Sequence, residues 1–229
     1  MQANNNISMA YEAIKEAILL QHLQPGTWLT EQSLCNTLAL GRSTIRNALQ
    51  LLATEGFITL TPNKGARIVS FTREQLSGLL SVKTALEKYA LSESITSYTE
   101  EDYAYLEDIV QHEQHCVEQN DFRGYLQYIA SFYSFLINKV GNEYLTAVFT
   151  DLNNRYTVYL ALYDSFYRVC DSKKLTSAKY HRKLVQALRQ DKLSAASRTL
   201  DAISAWMISS YNFSPSHVPN RLLGGTGTL

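Results

Sequence analysis

The sequence predicts a mainly α chain: an N-terminal winged helix-turn-helix followed by a C-terminal antiparallel bundle of six or seven helices. Three observations point there. Apolar residues recur at helical spacing in three separate runs between residues 9 and 54. Two short runs rich in β-branched and aromatic residues, 57–60 and 67–71, flank the turn Thr61-Pro62-Asn63-Lys64-Gly65. From Thr72 to about residue 212 the period stays helical, and no strand pair emerges.

The first helix is expected over residues 9–22, where Tyr11, Ile14 and Ile18 form one stripe, and Pro25-Gly26 ends it. The second fits 31–38 behind Thr30 as N-cap, burying Leu34, Cys35 and Leu38. The third fits 42–54, with Ile45, Ala48, Leu49 and Leu52 as its apolar face and Gly56 past its end. Three helices and a hairpin within about sixty residues make a winged helix-turn-helix.

Thr72 and Gln75 have capping-box spacing, which places a domain boundary near residue 71. The expected division is 1–71 as the winged helix-turn-helix, 72–213 as the helical domain, and 214–229 as a flexible tail. Within the second part, helical period runs through Leu76 to Leu91, from Thr99 through Val110, and over 122–140, 143–169 and 178–211. Interruptions are expected at Gly141-Asn142 and Asp171-Ser172-Lys173-Lys174.

With 229 residues, 45% of them hydrophobic and 18% charged, the chain has material for two modest cores. The start lacks a basic stretch and an apolar run, and no eighteen-residue apolar segment follows; a cytoplasmic protein with no membrane partner is expected. Cys35, Cys116 and Cys170 lie far apart without metal-finger spacing, so they are expected as reduced thiols. Net charge is zero, and residues 1–71 hold Lys15, Arg42, Arg46, Lys64 and Arg67 against Glu12, Glu16, Glu31 and Glu55. Attraction to phosphate must then come from where the charges sit, and two protomers are expected to act together.

The polar face of the third helix carries Arg42, Arg46 and Gln50 at spacings of four, with Ser43 and Asn47 beside them. Arginines on the first turns of such a helix can pair bidentately with guanine in the major groove, and Ser43 and Thr44 can meet phosphate at the helix N-terminus. For Asn47 and Gln50 base readout and a merely solvated face both stay open.

The stretch from Leu29 to Val69 resembles the N-terminal domain of the GntR family of bacterial regulators, through Leu34, Leu38, Arg42, Thr44, Arg46, Ala48-Leu49, Leu52, Glu55-Gly56 and Lys64-Gly65. The resemblance implies that Arg42, Thr44 and Arg46 contact DNA, that Gln32 stands where an Arg is common, and that Lys64 and Gly65 form a wing tip reaching the minor groove. Two departures concern operator sequence. Ala39-Leu40-Gly41 replaces the usual Gly-Val-Ser, so a residue with a Cβ must take the left-handed turn, and Asn47 replaces a common Glu.

The second part resembles the FadR-like group with an all-helical (FCD-type) domain, through Val82-Lys83, Leu86-Glu87, Phe132, Gly141-Asn142, His181-Arg182, Ala187 and Ala195-Ala196. Many members hold a metal through an Asp, and a His four residues on, with two later His. Here those positions are Ile129, Tyr133, His181 and Ile203, so no metal and no other cofactor is expected. The resemblance leaves a pocket edged by Lys83, Tyr133, Arg155 and His181 for a small-molecule effector, a carboxylate by the position of Lys83. His181 reads equally as a hydrogen-bonded interior residue.

No nucleophile elbow, phosphate loop, HExxH or paired-carboxylate arrangement supports an enzyme. The expectation is a homodimeric DNA-binding regulator, a repressor, on a pseudo-palindromic double-stranded operator, with an effector-binding helical domain. The alternative is a constitutive DNA-binding dimer whose helical domain is a scaffold.

Overall fold

The computed structural model describes residues 2–62, 64–163 and 177–210, and these divide into two units with the boundary between Thr72 and Arg73. The expected tail, 214–229, lies outside the described residues.

In the first unit the helix-turn-helix follows from local chemistry. Thr30 caps α2 (Glu31–Leu38), its hydroxyl accepting from the Ser33 amide at 3.1 Å. Ala39 then takes the left-handed conformation, φ 54°, and its amide returns to the Cys35 carbonyl, so α2 stops and the chain turns. Gly41 starts α3 (Arg42–Thr54), which buries Ile45, Ala48, Leu49 and Leu52 as the period requires. α1 (Gln2–Leu19) covers that face with Ala10, Ile14, Ala17 and Ile18. α1 begins well before the expected residue 9. Of the three residues expected to be buried in α2, Leu34 is buried, and Cys35 and Leu38 are half-buried.

The hairpin is β2 (Ile58–Thr61) and β3 (Gly65–Ile68), antiparallel, with Ile58 opposite Ile68 and Leu60 opposite Ala66. A two-residue strand, β1 (Trp28–Leu29), adds to the other edge of β3 to give the order β1-β3-β2. Nothing in the sequence reading anticipated it. The strand leads directly into Thr30 and α2, so the hairpin is stitched to the start of the helix pair. Gly65 is needed at that seam: its φ is 96°, and a Cβ there would come within 2.6 Å of the Leu29 carbonyl oxygen.

The second unit holds six α-helices among the described residues: α4 (Arg73–Ser94), α5 (Glu100–Glu118), α6 (Phe122–Asn138), α7 (Glu143–Tyr163), α8 (Ala178–Arg189) and α9 (Leu193–Ser210). Thr99 and Asp102 form a reciprocal capping box on α5. Asp121 caps α6 through the Gly124 amide at 2.9 Å. Asn142 accepts from the amides of Tyr144 and Leu145, opening α7 after the break expected at Gly141-Asn142. The single helix expected over 178–211 is two helices: Asp191, at φ 51°, reverses the chain between α8 and α9. The break expected at 171–174 lies outside the described residues. α4 packs against α6, α7 and α9, and α5 against α6 and α8, around Leu106, Ile129, Phe132, Leu136, Phe149, Leu184 and Leu200.

Candidate nucleic-acid interface and the polar core of the helical unit

Burial of one side of α3 sends the other to solvent. Arg42, Ser43, Arg46, Asn47 and Gln50 are exposed and Thr44 is half-buried, as the period predicts. Because the N-cap is Gly41, no side chain accepts from the first-turn amides, which leaves a partly positive helix end next to Ser43 and Thr44.

Both arginines of this face are held by the first turn of α2. Arg42 Nη2 donates to Gln32 Oε1 at 2.7 Å, and Gln32 Nε2 donates in turn to Asn36 Oδ1 at 3.0 Å. Arg46 makes a two-pronged pair with Glu31, Nε to Oε1 at 3.0 Å and Nη2 to Oε2 at 2.9 Å. The Arg46 hydrogen bonds hold the Glu31 carboxyl below the usual carboxylate range. Glu31 was not singled out in the sequence. Its signal there was only its place beside Gln32 in the first turn of α2.

Lys64 is exposed in the turn between β2 and β3, its amide bonded to the Thr61 carbonyl at 3.1 Å, and Gly65 is half-buried at the seam with β1. Two further cations of this unit are engaged elsewhere. Lys15 pairs with Glu55 at 2.7 Å, and Arg67 donates to the Gly26 carbonyl and lies over the Trp28 ring.

Inside the helical unit, three of the four residues expected around an effector come together. Lys83 and Glu87, one turn apart on α4, form a fully buried ion pair. The Lys83 ammonium lies 3.2 Å from the Tyr133 ring centre and 4.7 Å from that of Tyr156. Burial pushes the Lys83 ammonium below its ordinary range and the Glu87 carboxyl above its own, each against the pull of the other.

His181 lies beside this pair, stacked 4.2 Å from Phe132. Its Nδ1 is 2.6 Å from Glu113 Oε2, and its Nε2 is 3.1 Å from the Tyr133 hydroxyl. An imidazole that donates from Nδ1 and accepts at Nε2 satisfies both partners. Glu113 Oε1 also accepts from the Ser177 hydroxyl, which meets Tyr125 at 3.0 Å. Arg155 does not join this cluster. It is exposed on α7 and pairs with Asp151, Nε to Oδ2 at 3.0 Å.

The residues present do not fit the metal held by many FCD-type domains. Buried Ile129 and Ile203 offer no donor, both His181 nitrogens are already engaged, and burial holds the Tyr133 phenol well above its ordinary range. Glu113 is the residue that sequence reasoning missed. It falls in the apolar stripe Leu106, Ile109, Val110, Cys116, Val117, where a carboxylate signals a buried partner.

The family described as "Bacterial regulatory proteins, gntR family" matches residues 6–68, and the "FCD domain" matches residues 79–204. The "Gluconate operon transcriptional repressor" of Bacillus subtilis is 21% identical over 203 residues, covering 83% of each chain. The "Nta operon transcriptional regulator" of Aminobacter aminovorans is 33% identical over 89 residues, 39% of this chain and 42% of its own. Among solved structures, Escherichia coli McbR/YncC superposes with a TM-score of 0.65 at 18% identity, covering 89% of this chain and 95% of its own. A structural-genomics GntR protein from Rhodococcus sp. RHA1 superposes with a TM-score of 0.64 at 17% identity, covering 91% of this chain and 100% of its own. The chain belongs to the GntR family of bacterial regulatory proteins in its FCD-domain form, and is a transcriptional regulator rather than an enzyme.

Proposed function

We propose that the chain is a sequence-specific repressor that binds a pseudo-palindromic operator as a cytoplasmic homodimer, residues 1–71 reading DNA and residues 72–213 responding to a small carboxylate. The observation that carries the DNA reading is the pair of guanidiniums, Arg42 and Arg46, one turn apart on the exposed face of α3. Ser43, Thr44 and the uncapped amides of α3 complete a phosphate-facing helix end, Gln32 steadies Arg42, and Lys64 and Gly65 shape the wing. With so little net charge per protomer, two copies acting together supply the affinity that one lacks.

Repression follows the Bacillus subtilis relative, named for repressing a gluconate operon, and gluconate is itself a carboxylate. Lys83 and His181, with Tyr133 between them, are the polar groups in the helical unit that an acid could address. Asn153 on α7 adds a buried Oδ1 with no hydrogen-bond partner among the described residues.

One observation favours the scaffold reading. Lys83 with Glu87, and His181 with Glu113 and Tyr133, satisfy one another without a ligand. The two readings separate by experiment. Selection from a random duplex library should enrich an inverted repeat, and melting curves with sugar acids and dicarboxylates should rise for one of them. An unenriched library sinks the operator, and a flat panel of acids leaves the scaffold.

A further inference from the structure

The outer faces of α5 and α8 are charged: α5 shows Glu101, Glu107, Asp108 and Glu118 to solvent, and α8 shows Arg182, Lys183 and Arg189. α4 and α7 differ. On α4 the exposed positions Gly78, Val82, Ala85 and Tyr89 follow one another at intervals of four, three and four residues, with no charge among them. On α7 the exposed positions Tyr144, Val148, Asp151 and Arg155 repeat those intervals. Such an alternation of fours and threes is the seam along which one helix packs against another. We infer that the two stripes form one surface covered by a second copy of this chain, α4 and α7 meeting their counterparts about a two-fold axis. The inference rests on the homodimer proposed above and names the face that makes it.

Packing within the protomer makes the stripes neighbours. Thr84 and Lys88 turn one flank of α4 toward Ser204 and Asp201 of α9, and Thr146 turns one flank of α7 toward Asn138 of α6. On the flanks that remain, α4 and α7 pack against each other. By the helical period Leu86 and Leu152, both half-buried, lie between the stripes and join them. Val82 is 49%, Tyr89 46%, Tyr144 77% and Val148 55% exposed, so large apolar side chains on both helices stand in water in the single chain. Gly78 points the same way. It is a weak helix former in the middle of a helix, and a Cβ there would meet no atom within 4 Å, so packing within the chain does not require it. The close approach of a second helix does.

Size and charge both select a second copy as the occupant. α4 has 22 residues and α7 has 21. Each is therefore about 30 Å long and 10 Å wide, and side by side they present a footprint of about 600 Å². That is the scale of the roughly 800 Å² per partner that a stable interface buries. The only charged residues of the two stripes are Asp151 and Arg155, one turn apart on α7 and two-thirds exposed. A two-fold axis sets each stripe against itself, so a surface holding one charge of each sign is complementary to its own copy, whereas a strongly acidic or basic partner finds no match. An uncharged stripe on α4 beside a charged pair on α7 also has the anatomy of an interface core with its rim.

The test is analytical ultracentrifugation of the full-length protein from about 0.1 to 50 μM. Wild type should sediment at twice its 25.9 kDa mass. Gly78→Arg and Val82→Glu on α4, and Val148→Glu on α7, should each raise the dimer dissociation constant on the order of a hundredfold, because the two-fold axis buries the added charge twice. All three positions are exposed, and the Gly78→Arg side chain enters open space, so circular dichroism should show the helix content of wild type. Tyr105→Glu, an exposed apolar position on α5, should leave the mass doubled. A doubled mass that survives all three stripe variants, or that is lost in Tyr105→Glu, overturns this face and leaves the homodimer standing. Wild type at single mass over the whole range overturns the homodimer and this face together, and a stable mass above two copies overturns the closed two-fold pairing.

Discussion

Lys83 stands over the face of Tyr133, its ammonium 3.2 Å from the ring centre, with the carboxylate of Glu87 as its only charged hydrogen-bond partner among the described residues. Removing one member of so buried a pair strands the other. Lys83→Met should lower stability by roughly 3–5 kcal/mol, whereas Lys83→Met with Glu87→Leu should recover most of that loss. Urea unfolding of the two variants measures the difference. If the double variant is no better than the single one, the cost lies in packing against Tyr133 and Phe149 and not in charge.

The His181 relay gives a second expectation. Tyr133→Phe removes the donor to Nε2 and should cost about 1–3 kcal/mol. His181→Ala leaves Glu113 without its Nδ1 partner as well as a hole, and should cost more. Since the relay already engages both imidazole nitrogens, melting curves should not move with a chelator or with added zinc. A zinc-dependent rise in Tm would show that the residues here do hold an ion.

Ala39 pays for the turn between α2 and α3 with a left-handed φ of 54°. Ala39→Gly should therefore stabilise the first unit, by about 0.5–1 kcal/mol, even though glycine loosens the unfolded chain. Thermal unfolding would show a lower Tm if the Ala39 methyl makes contacts worth more than the strain.

Asp102 provides a pH dependence with a definite sign. Despite some desolvation, hydrogen bonds from Lys139 and from the Thr99 amide and hydroxyl bring its carboxyl below the usual range. A carboxyl lowered on folding contributes stability that is present above its unfolded pKa of about 3.9 and is lost as pH falls through the folded value. Asp102→Ala should cost about 1 kcal/mol at pH 7, the usual worth of a cap. That difference should shrink below about pH 4, and a gap that persists unchanged at pH 2 would contradict the assignment.

On the exposed face of α3, and on the DNA reading proposed above, Arg46→Ala should weaken binding to a library-selected duplex by about 1–3 kcal/mol and relax the base preference at one position. Lys64→Ala, at the wing tip, should instead weaken all sequences alike and flatten the salt slope by roughly 0.9. Anisotropy on single-base variants of the duplex separates the two outcomes.

Sequence and structure agree most closely where local chemistry decides. Thr30, Ala39, Gly41 and the stripe from Ile45 to Leu52 specify α2 and α3 nearly to the residue. The exposed arginines follow from that stripe. β1 was illegible because two residues have no period, and Trp28-Leu29 becomes a strand only by pairing with Arg67 and Ala66. The α8–α9 reversal was missed because it lacks glycine and proline, and Asp191 takes the left-handed turn unannounced. Arg155 was placed with Lys83 by resemblance alone, and its exposed pairing with Asp151 reflects a helix face that a motif does not encode. Glu113 was legible in principle, as a charge among apolar neighbours, but its partner is 68 residues away.

The short strand before α2 has one more consequence. Because β1 joins the wing's inner strand to the residue that caps α2, the β2–β3 turn and the helix pair α2–α3 are set relative to each other when the unit folds. On the proposed DNA reading, an operator must accommodate a stamp of fixed relief. New sequence preferences would then arise by exchanging side chains on the stamp's surface, while the spacing between its two raised features stays the same.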